Sequence, residues 1–184
     1  MGSIVNAGSL VTRVWFPRLL LPLSSILGLT VSLLIELGIL AIVVTAFSQE
    51  FVILALLPIA FGLVVLLVLF TSGVALFLTA VNVRFRDIEY LTTVFLLAYL
   101  YLTPILYPIS FIPETDLPLV PFDLKQFMLA NPMARFAIAF RNVFYDARLP
   151  ELPTVLWLVF WSGLIFYVGA RYFVRRSDRF AEMM

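Results

Sequence analysis

The amino-acid sequence predicts an all-α integral membrane protein, and three observations lead to that prediction. The 184 residues are 63% hydrophobic and 12% charged, with a mean hydropathy of +1.10, whereas soluble domains are about 45–50% apolar. Residues 51–83 contain no charged side chain, and roughly 20 apolar residues suffice to cross a bilayer as a helix. A compact charged segment, residues 82–89, separates this apolar run from the next one.

Four transmembrane helices are predicted, at about residues 25–47, 51–81, 90–106 and 154–174. The second is longer than a hydrocarbon core of about 30 Å requires, so we expect it to tilt, bend or project from the membrane. Pro104 and Pro108 fall at the end of the third span, where we expect a kinked or re-entrant end because proline interrupts helices. Residues 10–18 predict a short N-terminal interfacial helix, whose apolar side chains share one face before Pro17.

The connector before the last span, residues 109–153, contains a helix start. Asn131 is a good N-cap residue, and Pro132 follows it at the first helical position. Apolar side chains then recur at helical spacing, at Met133, Phe136, Ala137, Phe140, Val143 and Phe144. An amphipathic helix that lies on the membrane or dips into it is predicted. It would act either as an outer gate using Asn131, Pro132, Arg135 and Arg141, or as an interfacial filler.

The distribution of basic residues predicts the orientation, because Lys and Arg near span ends favour the cytoplasmic side. Eight arginines fall on one face of the predicted topology, at Arg13, Arg18, Arg84, Arg86, Arg171, Arg175, Arg176 and Arg179. The other face has four basic residues, all in its long connector. We therefore expect both termini inside, with residues 1–24, 82–89 and 175–184 cytoplasmic and residues 109–153 outside.

Composition excludes several function classes. The chain has no Cys and no His, so thiol nucleophiles, thiolate metal sites and the commonest general base are absent. Its only lysine, Lys125, follows a leucine, whereas a phosphate-binding Walker A loop needs Gly-Lys-Ser/Thr. The net charge of +1 gives no support to nucleic-acid binding. No catalytic residue, metal site or cofactor is predicted in this chain.

Five short motifs follow one another along the chain, at residues 13–18, 82–88, 103–108, 131–132 and 179–182. In this order they resemble the type-2 ABC transporter permeases, and most closely the exporters of polysaccharide, O-antigen or teichoic acid. The resemblance covers nearly the whole chain. Permeases of that family usually have six spans, so this chain looks like the C-terminal two-thirds of one.

The resemblance implies a non-enzymatic subunit of an ATP-driven exporter of lipid-linked polysaccharide, multi-pass in the bacterial plasma (inner) membrane. Two copies would form a homodimer and pair with ATP-binding cassette subunits, which would hold ATP and Mg. The residues that coupling to the ATPase would use are Arg13, Trp15, Phe16, Pro17, Arg18, Arg84, Arg86, Asp87 and Glu89. From the residues alone, the charges at 84–89 can equally set topology and form exposed ion pairs worth about 0–1 kcal/mol.

Further candidates for a transport pathway or a dimer seam lie within the spans, at Glu36, Tyr99, Tyr101, Trp157 and Trp161. An acid near the centre of a span costs about 2.5–3.5 kcal/mol, so Glu36 is expected to face protein or water, as a packing residue or at a seam. Aromatic faces can stack on sugar rings, although a lipid-facing aromatic belt explains them equally well.

Two other functions remain open at this level. One is an ABC-2-type exporter of drugs or small lipids, and the other is a truncated membrane fragment that transports nothing.

Overall fold

The computed structural model describes residues 20–48, 52–82, 88–105, 107 and 124–177. Within these ranges the regular structure is helical, without strands, as predicted. The helices are α1 Leu20–Ser48, α2 Val52–Asn82, α3 Ile88–Leu102, α4 Leu124–Ala130, α5 Pro132–Phe144 and α6 Leu152–Ser177. By length and composition, α1, α2 and α6 can each cross a membrane, whereas α3 is a shorter apolar helix. The N-terminal interfacial helix predicted at residues 10–18 lies outside the described residues.

The long helices extend beyond the spans that hydropathy predicts. α1 starts at Leu20 and α6 continues to Ser177, because backbone hydrogen bonding does not stop where the apolar side chains do. α2 is one unbroken helix that contains Pro58 close to its start, where few preceding turns are left to disturb. α4 was not predicted at all.

Among the described helices, α2 and α6 pack most closely, and glycines make this close approach possible. A Cβ atom on Gly73 would lie 2.5 Å from the carbonyl oxygen of Ile165, and one on Gly169 would overlap the carbonyl oxygen of Gly73. Towards the ends of both helices, the rings of Phe77 and Tyr172 approach to 5.0 Å. Later residues of α2 therefore meet later residues of α6, so the two helices run in the same direction.

Two apolar clusters mark the two ends of this bundle. The larger one lies where α1 ends and α2 and α6 begin, and α5 contributes to it; we call this the α5 end. Its buried members include Ala41, Ile53, Leu56, Phe136, Val143 and Leu158. The smaller cluster, made by Leu76, Ala80 and Phe173, lies towards the opposite end, which we call the Asn82 end. Arg171, Arg175 and Arg176 belong to the last turns of α6 and so lie there too.

α5 is more deeply packed than a helix resting on a surface. Its fully buried side chains include Ala134 and Ala139, which the predicted apolar stripe did not contain. Small side chains are needed at these two positions because α5 contacts both α2 and α6, so more than one of its faces is covered.

α3 packs loosely. Thr92 is its one buried residue, and most of its apolar side chains are exposed. The helix ends at Leu102, and a turn containing Pro104 follows, in agreement with the irregular end that the prolines predict. Because α2 and α6 run in the same direction, the chain between them must return from the Asn82 end to the α5 end, and α3 lies on that return.

Candidate functional site

The start of α5 is built around the side chain of Asn131. Its Oδ1 atom accepts a hydrogen bond from the backbone N–H of Met133 at 2.9 Å, and its backbone is extended. This is the N-cap arrangement that the Asn-Pro pair predicts. The N–H of Asn131 donates to the carbonyl of Met128 at 3.1 Å, so α4 leads directly into the cap.

The same amide also connects α5 to the end of α3. The hydroxyl of Tyr99 donates to Oδ1 of Asn131, while Nδ2 of Asn131 donates to Oγ1 of Thr103 at 3.1 Å. The Thr103 hydroxyl in turn donates to the carbonyl of Tyr99 at 2.8 Å. Thr103 is fully buried and Tyr99 is half-buried. We call Asn131, Tyr99 and Thr103 the amide triad; because buried polar groups are costly when unpaired, it holds the two helix ends together.

A second link joins α5 to α6 through Arg135. Its Nε–H donates to the carbonyl of Leu129 at 2.7 Å, and its guanidinium carbon lies 4.8 Å from the ring centroid of Trp157. A cation over an indole face at this distance is attracted to the ring. The predicted gate residues Asn131 and Arg135 thus each contact a predicted pathway aromatic.

Trp157 and Trp161 lie one turn apart on α6, with ring centroids 5.7 Å apart at 59°. Both rings are half-buried, so each faces protein on one side. Both indole N–H groups are buried and find no acceptor among the described residues, and the same holds for the hydroxyl of Ser162. These are three unsatisfied polar groups on one segment of a span.

The remaining candidate residues form no described side-chain contact with the amide triad or with the Arg135–Trp157 pair. Tyr101 is exposed, and its carbonyl accepts a hydrogen bond from the hydroxyl of Tyr107 at 3.0 Å. Glu36 is exposed in the middle of α1. Arg141 is half-buried in the last turn of α5, where its carbonyl accepts the N–H groups of Tyr145 and Asp146. Pro132 occupies the first position of α5.

Most of the predicted coupling residues lie outside the described residues, namely Arg13, Trp15, Phe16, Pro17, Arg18, Arg84, Arg86 and Asp87. Glu89 is described, and it lies exposed in the first turn of α3. A carboxylate there interacts favourably with the helix dipole. Coupling stays a prediction.

A polar cavity that the sequence did not predict lies beside Arg135. It has a volume of about 360 Å³, and its polar lining residues are Arg135, Asn142, Arg148, Glu151 and Thr154. The loop after α5 shapes it: Ala147 has a φ of 50°, and the N–H of Arg148 donates to the carbonyl of Asn142 at 2.9 Å. The only sequence signal was a mixture of charged and apolar residues between Tyr145 and Leu152.

Comparison with known proteins adds an independent observation. The chain is similar to the O-antigen export system permease protein RfbA of Myxococcus xanthus, with 29% identity over 186 residues. Two proteins of the same name from Klebsiella pneumoniae are 25% and 26% identical to it. The alignments cover 98–99% of this chain and 66% of each relative. No family model matches the chain.

The chain therefore spans slightly less than two thirds of the length of these relatives, which fits the expected correspondence to part of a longer permease. The resemblance that the ordered motifs predicted is confirmed: along nearly its whole length, this chain is similar to O-antigen export system permease proteins.

Proposed function

We propose that this chain is the membrane-spanning subunit of an ATP-driven exporter of lipid-linked polysaccharide. Its similarity to O-antigen export permeases over 98–99% of its length carries the proposal. The part of the chain that the structure describes supports it with three long apolar helices and with the polar contacts at the start of α5, where predicted gate and pathway residues meet.

We propose α3 as a fourth span, so that both termini lie on the cytoplasmic side. The support is topological, because α2 and α6 run in the same direction and the chain must cross the bundle once between them. At 1.5 Å per residue, α3 is about 22 Å long, and its exposed apolar side chains suit contact with lipid or a partner. The turn after Leu102 would complete the crossing.

We propose that α5 is a re-entrant gate element at the outer face. Phe136 packs edge-on against Phe70 with ring centroids 6.0 Å apart. Phe70 lies about 18 Å along α2 from Asn82 and about 27 Å from Val52, so the start of α5 reaches well into the bundle. Irregular backbone at membrane depth is tolerated only where it is buried in protein or lines a cavity, and the amide triad meets that condition.

The pathway would run beside α6. Trp157 and Trp161 offer aromatic faces for stacking against sugar rings, since both rings are only half-buried. Arg135 rests on Trp157, so a movement of α5 would change the exposure of that ring. Tyr99 couples the same movement to α3 through Asn131.

A homodimer would cover two exposed features of this chain. Glu36 lies mid-helix and is exposed, and a carboxylate facing lipid there would cost about 2.5–3.5 kcal/mol. The exposed face of α3, which carries Tyr101, is the second feature. Contact with another subunit or with a water-filled pathway would remove the cost at Glu36.

Coupling to the ATPase is the sharpest test of this function. The chain is co-expressed with candidate ATP-binding cassette subunits, purified through a tag on the ATPase, and assayed for ATP hydrolysis. We expect co-purification, and we expect Arg86→Glu combined with Asp87→Arg to reduce it while membrane insertion stays normal. Arg175→Glu serves as the charge-reversal control. Equal recovery of the wild-type chain and the double variant would refute the coupling role; absence of the wild-type chain from the material purified with the tagged ATPase would refute the exporter assignment.

Orientation is tested separately. Because the native chain has no cysteine, single cysteines at positions 87 and 116 can be probed in whole cells with a thiol reagent that does not cross the membrane. We expect labelling at 116 and protection at 87. The reverse pattern would invert the topology.

A further inference from the structure

The cavity beside Arg135 is bounded by α4, α5 and the loop before α6, and it presents unused hydrogen-bond donors. The Nε–H of Arg135 is occupied by the carbonyl of Leu129, and the guanidinium plane rests over Trp157. Its terminal nitrogens have no hydrogen-bond partner among the described residues, although the group lines the cavity. A guanidinium held in one orientation with two free NH₂ groups is suited to bind a phosphate.

The cavity lining also contains a second arginine and a negatively charged residue. Arg148 is partly neutralised by its ion pair with Asp146 at 2.8 Å. Glu151 is exposed at the cavity wall and forms no ion pair with a described residue. Asn142 and Thr154 contribute neutral polar groups. Among the described residues, the lining therefore places the Arg135 guanidinium, whose NH₂ groups have no hydrogen-bond partner, and the Glu151 carboxylate around a space of about 360 Å³.

The surroundings of the cavity suit the membrane interface. The segment 145–152, which supplies three of the lining residues, carries large apolar side chains that are strongly exposed: Tyr145 by 82%, Leu149 by 62% and Leu152 by 69%. They alternate with charged residues along the same loop. Tyrosine and mixed polar and apolar residues are typical of the depth at which lipid headgroups lie.

We propose that this cavity binds the headgroup of a zwitterionic phospholipid with a primary ammonium, as in phosphatidylethanolamine. The lipid phosphate accepts hydrogen bonds from the free NH₂ groups of Arg135, and its ammonium group donates to the carboxylate of Glu151. The acyl chains leave along the exposed apolar side chains. A bound headgroup would bridge α5 and the loop before α6, whether or not the protein is an exporter.

The test is native mass spectrometry of the full chain in detergent, titrated separately with phosphatidylethanolamine, phosphatidylcholine and phosphatidylglycerol. We expect the wild type to retain phosphatidylethanolamine best, since phosphatidylcholine lacks N–H donors and phosphatidylglycerol lacks the ammonium. Arg135→Gln should weaken retention by about tenfold or more, as expected for loss of charge-assisted hydrogen bonds. Arg175→Gln, which removes an exposed arginine near the Asn82 end, should not change it.

A second variant keeps the test independent of folding. Glu151 is exposed, so Glu151→Gln is expected to fold normally and to abolish the preference for phosphatidylethanolamine over phosphatidylcholine. A preserved preference in this variant would overturn the proposal, as would unchanged retention in Arg135→Gln. Two further results would overturn it: stronger retention of phosphatidylglycerol, or full displacement of the lipid by millimolar inorganic phosphate, which would identify a site for the free anion.

Discussion

The close approach of α2 and α6 depends on the absence of a side chain at Gly73 and Gly169. Replacing Gly73 by alanine would place a Cβ atom 2.5 Å from the carbonyl oxygen of Ile165. Non-bonded atoms prefer about 3.5–4.0 Å, so the helices must separate by about 1 Å, and a gap of 0.5–1 Å already forfeits a quarter to a half of the dispersion attraction. The two nearest atoms, the carbonyl oxygen of Ile165 and the backbone nitrogen of Phe166, cannot rotate away because they belong to the backbone.

The magnitude follows from two opposing effects. Alanine is favoured over glycine in a helix by about 1 kcal/mol, whereas inserting a methyl group into a filled interface costs about 1–3 kcal/mol. Gly62 provides the matched control on α2, because a Cβ atom there would meet nothing within 4 Å. The gain in helix propensity is common to both variants and cancels, so Gly62→Ala and Gly73→Ala should differ in unfolding free energy by roughly 1–3 kcal/mol.

The assay is unfolding in mixed micelles of a mild detergent with increasing dodecyl sulfate, followed by circular dichroism. α6 allows the same comparison, since Gly169 contacts the backbone of Gly73 and Gly163 faces open space. We expect Gly169→Ala to unfold at lower dodecyl sulfate than Gly163→Ala. If the two members of each pair unfold together, the helices are not in backbone contact and the reasoning fails.

Three further predictions use the same assay. Asn131→Ala should lower the unfolding free energy by about 2–4 kcal/mol, because it removes the N-cap and leaves buried partners unpaired; Tyr99→Phe should cost about 1 kcal/mol, and equal costs would contradict the triad. Phe136→Ala should lower the unfolding free energy by about 3–5 kcal/mol, because Phe136 is only 2% exposed. Phe160 is 59% exposed, so Phe160→Ala should not lower it by a comparable amount. Ala147→Val should lower the unfolding free energy by on the order of 1–2 kcal/mol, because the backbone at this position has a φ of 50°. Ala147→Gly should leave the unfolding free energy unchanged or raise it. Identical unfolding midpoints for these two variants would exclude a strained backbone.

Several features of this protein were determined by the sequence alone. Helical structure and the apolar portions of α1, α2 and α6 follow from hydropathy, since a segment of that length and composition can satisfy its backbone in lipid only as a helix. The start of α5 was equally readable, because capping by Asn131 and Pro132 involves neighbours within one turn. The order of short motifs predicted the similarity to O-antigen export permeases.

Helix lengths were less predictable than helix positions. Hydropathy detects where side chains turn polar, and α1 continues beyond that point at its start. α4, seven residues long, has too short a pattern for periodicity to separate it from a loop.

Only the tertiary structure decided which residues meet. Asn131 contacts Tyr99 and Arg135 contacts Trp157, although no spacing in the sequence relates the members of either pair. Such contacts depend on how each helix is rotated and shifted against its neighbours, and that is determined by packing over the whole bundle, including the approach of Gly73 to Gly169. A glycine in a helix does not by itself indicate a close contact. Gly62 has nothing within 4 Å of a Cβ position, whereas Gly73 lies against the backbone of α6.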